Sequence, residues 1–123
     1  ERWVAEVTKE AGFRVEMTPG SGDGGVDVIG IPTGGQGRSL FIQCKHTARG
    51  TAGRIGEGAV WDLVRARQNH QAAHANPILV AVTNGRFALA AEHLAQAHGV
   101  HLFEADSLTQ LERALRRLSD GAT

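Results

Sequence analysis

"GDGGVDVIG", residues 22–30, and "LFIQCKH", residues 40–46, decide the fold of this 123-residue chain. Each contains a short apolar run beside turn-forming residues, the pattern of a buried strand. Gly22, Gly24 and Gly25 permit a tight turn into the first run. The second run sets Lys45 behind Leu40, Phe41, Ile42, Gln43 and Cys44, none of them charged. A cation inside a strand needs a partner or a task. Strand side chains alternate faces, so Gln43 and Lys45 point one way and Ile42 and Cys44 the other. If residues 26–31 pair with residues 39–45, Asp27 can share the face of Gln43 and Lys45.

Outward from these strands the pattern stays α/β. Residues 1–11 are predicted to be a helix, with Trp3, Val4, Val7 and Ala11 at helical spacing and Gly12 as the stop. Phe13 to Met17 alternate like a half-buried strand. "TPGSGDGG", residues 18–25, is turn material, and "PTGGQGR", residues 32–38, is a hairpin connection. "HTARGTAGR", residues 46–54, is a polar loop. Residues 55–74 are predicted to form one long helix with Ile55, Ala59, Leu63, Ala66 and Ala73 on its apolar side. "ILVAVT", residues 78–83, is apolar almost throughout and suits a central strand covered on both faces. A helix over about 87–97, a strand over 100–103 and a last helix from a Ser107 cap to Leu118 complete the chain. The expectation is one α/β domain over residues 1–123, with a central mixed sheet flanked by helices. The chain opens at Glu1, already in a helical pattern, so it is expected to be one domain of a longer protein.

Apolar residues make 41% of the chain and charged residues 21%, as in an ordinary folded domain. No apolar run is long enough to span a membrane. A single cysteine, Cys44, excludes an internal disulfide and fits a reducing, cytoplasmic setting. Formal net charge is zero, so the chain as a whole gives no electrostatic argument for nucleic acid. Its distribution is uneven. Residues 1–35 carry six acids and three bases, whereas residues 36–75 carry six bases and two acids. Either a basic face around an acidic pocket or a plain solvated surface would give that split.

A carboxylate from Asp27 and an amide oxygen from Gln43 are hard ligands suited to Mg²⁺. Such an ion acidifies water and polarises a phosphoryl oxygen. Lys45 beside it could orient or deprotonate that water, or stabilise the charge developing on phosphorus. These are the parts for hydrolysing a phosphodiester. The residues also allow a plainer account, in which Asp27 closes a turn and Lys45 extends its ammonium from a strand end into solvent.

"AGFRVEMTPGSGDGGVDVIG" followed by "FIQCKH" resembles the Mrr-type restriction endonuclease catalytic domain, a branch of the PD-(D/E)xK nuclease superfamily. "GRIGEGAVWDL", residues 53–63, "AVTNGRF", residues 81–87, and "VHLFEADSLTQL", residues 100–111, extend the likeness over nearly the whole chain. The resemblance implies a restriction-endonuclease-like core and a Mg²⁺-dependent DNA endonuclease serving restriction or defence, with Mn²⁺ able to substitute. It implies Asp27 as main metal ligand, Gln43 in a place usually held by Glu or Asp, and Lys45 as catalytic lysine. It also sets Glu1 near the metal, as the first-helix glutamate; the Cys44 backbone carbonyl is a candidate extra ligand, and Asp23 could help through water. With glutamine at 43 the site carries less negative charge, so weak metal affinity is expected. Two alternatives stay open: a nucleic-acid-binding module whose nuclease activity has decayed, and an RNA or single-strand nuclease with the same site.

Arg38, His46, Arg49 and Arg54 are candidate DNA contacts on loops flanking the site. Gly53, Ile55 and Gly56 are expected to open the long helix, whose N-terminus could face a phosphate. His70 and His74 lie four apart like a zinc pair but lack an obvious third ligand, so a helix-surface role is preferred. Cys44 reads as a structural thiol, and Trp3 and Trp61 as core or interface residues. Thr83 and Asn84 end the central strand, for turn formation or to line a cleft. One site per chain and two antiparallel DNA strands imply that double-strand cleavage needs two copies, as a homodimer or meeting on DNA. The leucine side of the last helix is a candidate contact, or else the side that covers the sheet. Target choice is expected to lie in a separate DNA-recognition domain.

Overall fold

The computed structural model describes residues 2–17, 26–34 and 37–119. Helix α1, Arg2–Glu10, buries Val4, Ala5, Val7 and Thr8 along one stripe. Strand β1, Phe13–Met17, pairs antiparallel with β2, Val28–Pro32, which pairs antiparallel with β3, Leu40–Lys45. Beyond β3 and a 3₁₀ turn at Gly50–Ala52 comes a two-residue strand β4, Arg54–Ile55. Helix α2, Gly58–Asn69, follows, then β5, Ile78–Thr83, and a two-residue β6, Arg86–Phe87. Helix α3, Leu89–His98, leads to β7, Val100–Phe103. A 3₁₀ segment, Ala105–Gln110, precedes α4, Leu111–Ser119.

The main sheet runs β1-β2-β3-β5-β7. Its first three strands are antiparallel to one another, and β3, β5 and β7 are parallel, so the sheet is mixed as expected. All six residues of β5 are buried, because the strand lies between β3 and β7 with helices on both faces. On one face α1 and α4 bury Val4, Val7, Leu111 and Leu115 against Val28, Leu40, Ile42 and Val80. On the other, α2 and α3 bury Val60, Leu63, Ala91 and Ala95 against Ile29, Phe41, Leu79 and Ala81. Each fully buried leucine contributes about 1.5–3 kcal/mol relative to exposure.

Several boundaries differ from the sequence expectation. Strand β2 starts at Val28, one residue after Asp27, rather than at residue 26. Helix α2 covers residues 58–69, not 55–74. Ile55 is used by β4, and Ala73 is exposed beyond the helix end. The last helix is two pieces. Ser107 serves the first as partner in a capping box with Glu104, its hydroxyl accepting the Glu104 N–H at 2.9 Å. Leu111 and Leu115 are fully buried on the sheet, so that side of α4 is core and not a contact surface. Neither tryptophan is core: Trp3 is 50% exposed and Trp61 39%.

Candidate active site

The β2–β3 register pairs Val28 with Ile42 and Ile29 with Phe41. Just before β2, the Asp27 N–H continues the ladder by donating to the Ile42 carbonyl at 2.9 Å. The next rung is made by a side chain: the Cys44 N–H donates to Asp27 Oδ2 at 2.8 Å. Where β2 supplies no backbone carbonyl, the carboxylate takes its place, and the hydrogen bond aims it at the end of β3. The N–H and C=O of a residue in an antiparallel pair face the same flank. The Cys44 carbonyl therefore lies on the flank of β3 that Asp27 borders.

Alternation brings the expected face together. Gln43 follows Phe41 on the side covered by α2, and only 5% of it is exposed. Lys45 is next on that side, at the last residue of β3. Its Nζ lies 3.8 Å from Asp62 Oδ2 on α2. Asp62 also accepts from Arg65 Nη2 at 2.5 Å. The pair with Lys45 is partly exposed, so its own stabilisation is modest, about 0–1 kcal/mol. Its geometric effect is to tie the ammonium to a helix. No sequence signal marked Asp62, which is 17 positions beyond Lys45 and meets it only once α2 packs on β3.

Cys44 lines a groove of about 290 Å³ on the α1 side of the strand ends, with Trp3, His46, Asn84 and Leu108 at its walls and Lys45 at its edge. Asn84 holds the loop after β3: the Thr47 N–H donates to Asn84 Oδ1 at 2.8 Å, and Asn84 Nδ2 donates to the Thr47 carbonyl at 2.9 Å. Thr83 makes the turn, its hydroxyl accepting the Gly85 N–H at 3.0 Å. Both duties envisaged for this pair are thus seen, turn formation at Thr83 and groove lining at both. A Cβ on Gly85 would meet Thr47 Cγ2 at 2.7 Å and the Gly53 carbonyl at 2.9 Å, and one on Gly53 would overlap the Thr47 hydroxyl. Only glycine at both places allows the loop to lie on the strand end.

The candidate DNA contacts separate. His46 and Arg49 are exposed in the loop beside the groove. Arg54 folds its guanidinium onto the carbonyls of Thr51 and Gly53, at 3.2 and 3.3 Å. Arg38 does not flank the site. It precedes β3, at the far end from Lys45, and donates to the carbonyls of Asn76 at 2.7 Å and Pro77 at 3.3 Å. Nor do Gly53 and Ile55 open α2, whose N-cap is Glu57. Glu1, Asp23 and Gly22, Gly24 and Gly25 lie outside the described residues.

His70 and His74 form no zinc pair. Both rings stand edge-on to Phe41, at 5.6 and 5.3 Å, and His74 Nδ1 shares a 2.9 Å hydrogen bond with Ser39 Oγ. Among the described residues no cluster of three His, Cys, Asp or Glu side chains could hold a metal. The donors near the end of β3 are instead one carboxylate, one amide oxygen and a backbone carbonyl, the hard-oxygen chemistry that Mg²⁺ accepts while keeping several waters.

Residues 1–111 match the family model Mrr_cat, restriction endonuclease, so the chain belongs to that family, a family of restriction-type nucleases. The Uncharacterized protein y4cE of Sinorhizobium fredii (strain NBRC 101917 / NGR234) is 41% identical over 66 residues, 53% of this chain and 16% of its own length. Two solved structures share the fold. The protein of unknown function AF1548 superposes with a TM-score of 0.67 at 19% identity, over 97% of this chain and 64% of that one. The MspJI restriction endonuclease, solved with a 27-mer oligonucleotide, superposes with a TM-score of 0.56 at 23% identity, over 98% of this chain and 27% of that one. The chain therefore spans less than two thirds of each of these relatives. Among the described residues no helix is long and apolar enough to cross a membrane.

Proposed function

We propose that this chain is the catalytic domain of a Mg²⁺-dependent DNA endonuclease, acting in restriction or defence against foreign or modified DNA. Family membership supports the nuclease reading, and MspJI's oligonucleotide complex supports a nucleic-acid substrate. The observation that carries the site is the rung between the Cys44 N–H and Asp27 Oδ2, beside Gln43 and Lys45 on adjoining strand positions. In this reading Asp27, the Gln43 amide oxygen and the Cys44 carbonyl would hold the ion, with Glu1 completing the set. A bound Mg²⁺ would supply an acidified water and a polarised phosphoryl oxygen. The Lys45 ammonium would donate to the attacking water or to the phosphoryl oxygens as charge builds there. Asp62 fixes where that ammonium starts from. The packed β2–β3 floor keeps Asp27 and Gln43 in place without reorganisation.

Each chain carries one such set, so one chain is assigned one strand cut, and a double-strand break is assigned two copies. Target choice is assigned to chain outside this fold, as the larger size of MspJI permits.

Supercoiled plasmid incubated with Mg²⁺ or Mn²⁺ should be cut, and chelator should stop it. D27N should lower the rate at least about 100-fold, the scale of a few kcal/mol of lost transition-state stabilisation. Equal cutting by D27N would end the site assignment. Glutamine at 43 in place of a carboxylate favours a second reading, a domain that binds DNA without cutting it. Tight duplex binding with no metal-dependent cleavage on any modified or unmodified substrate would select that reading.

A further inference from the structure

We infer that α4 and the 3₁₀ segment before it form a second anchoring point for duplex DNA, one that grips a backbone phosphate outside the scissile step. This rests on the nuclease reading above. Phe103, Thr109, Gln110, Arg113, Ala114 and Arg117 line a concavity of about 310 Å³. Its polar side chains are a hydroxyl, an amide and two guanidiniums, all of them donors, and no carboxylate lines it. Among the described residues, no acid pairs with Arg113 or Arg117. Arg116, between them in sequence, is spoken for: it donates to Glu112 Oε2 at 2.8 Å and to the Glu10 carbonyl. The helix dipole accounts for a cation at Arg117, in the last turn, but works against one at Arg113, in the first turn. Two guanidiniums one turn apart present forked donors that match phosphate oxygens.

The position suits one continuous ligand. Leu108 borders the groove beside Lys45, and Thr109, the next residue, borders this concavity. Across the sheet, Lys45 is in register with Thr83 and Phe103 with Val82. Two strand spacings separate β3 from β7, about 10 Å. The grooves of B-DNA are about 6 and 12 Å wide, so phosphates flanking a cut site recur on this scale. Lys45 lies on the α2 face of the sheet and α4 on the α1 face, so a duplex with one phosphate at Lys45 would cross the ends of the parallel strands to rest another against Arg113 and Arg117.

The test is binding of a fluorescent duplex followed by anisotropy in chelator, over a salt series, so that no cutting intervenes. For every phosphate the protein no longer neutralises, the slope of log K against log salt should fall by about 0.9. R113Q/R117Q, which removes the grip on one phosphate, should therefore flatten it by about 0.9, losing about 3.5-fold less affinity than wild type between about 50 and about 200 mM salt. R113K/R117K should restore the slope. K9Q/R14Q removes two exposed charges that already pair with Glu6 and Glu16, and should leave it unchanged. A slope unaltered in R113Q/R117Q, or flattened equally in K9Q/R14Q, overturns the inference and leaves the nuclease reading standing. Absence of salt-dependent duplex binding by the wild-type protein overturns both.

Discussion

Asp27 completes a strand ladder with a side chain, and this separates its structural duty from its chemical one. Asparagine keeps an oxygen for the Cys44 N–H, whereas alanine leaves that partly buried donor without it. D27A should therefore unfold at lower urea than D27N, by about 1–2 kcal/mol, although both lose cleavage. Equal midpoints for the two would mean that the rung carries no stability. His101 on β7 gives a second, pH-dependent handle. Partial burial first, and then the charge of Arg38, lower its pKa below 6.5, although the residue as a whole is exposed. The unfolded chain then binds the proton more readily than the folded one between these two values. Stability from this group is complete above 6.5, falls as pH drops through 6.5 and levels off below the folded value. Urea midpoints at about pH 8 and about pH 5 should therefore differ less in H101Q than in wild type. At this scale the common face of Gln43 and Lys45 was legible in the sequence, since alternation in a strand fixes it. Asp62 was not, because its meeting with Lys45 depends on how α2 docks.

Residues 46–54 read in the sequence only as a polar loop, yet this segment is pinned at several points. Its β4 pairs with β6 through Arg54–Arg86 and Ile55–Phe87. Glu104 accepts the Phe87 N–H at 2.6 Å and faces Arg86 at 3.9 Å, so β6 is held from the other side as well. Two-residue strands are too short to show a period, and their pairing was invisible for that reason. The same blindness lengthened α2 in the sequence reading, since Ile55 and Ala73 happen to extend its apolar spacing. The strands of the main sheet were legible because five or six residues of alternating or unbroken apolarity admit few other readings. The way the loop rests on the strand end leads to a prediction. G85A should push Thr47 and the Gly53 carbonyl outward and cost about 1–3 kcal/mol, the usual range for overpacking. T47S removes the methyl at 2.7 Å but not the carbonyl at 2.9 Å, so G85A/T47S should recover part of that stability. Thermal unfolding of the four proteins closes the cycle, and strict additivity would mean that the two residues do not press on each other.

The described residues form two helix layers clamped on a five-stranded mixed sheet, with the Asp27 set at the end of β3 and both proposed anchoring points at the same end of the parallel strands. Such a body offers one attack direction to one phosphate. The leucine stripe of α4 is spent on the core, so pairing of two copies through it would expose Leu111 and Leu115 and is disfavoured. Two copies that meet on DNA, or pair through another surface, should then cut one strand each. Plasmid conversion at rising protein concentration reads this out. Nicked circles should accumulate first, at a rate proportional to protein. Linear product should follow and rise more steeply than in proportion, because it needs a second copy at the nick. If linear DNA forms directly from supercoiled plasmid, in strict proportion to a protein shown to be monomeric, then one site attacks both strands and the one-site, one-strand relation fails.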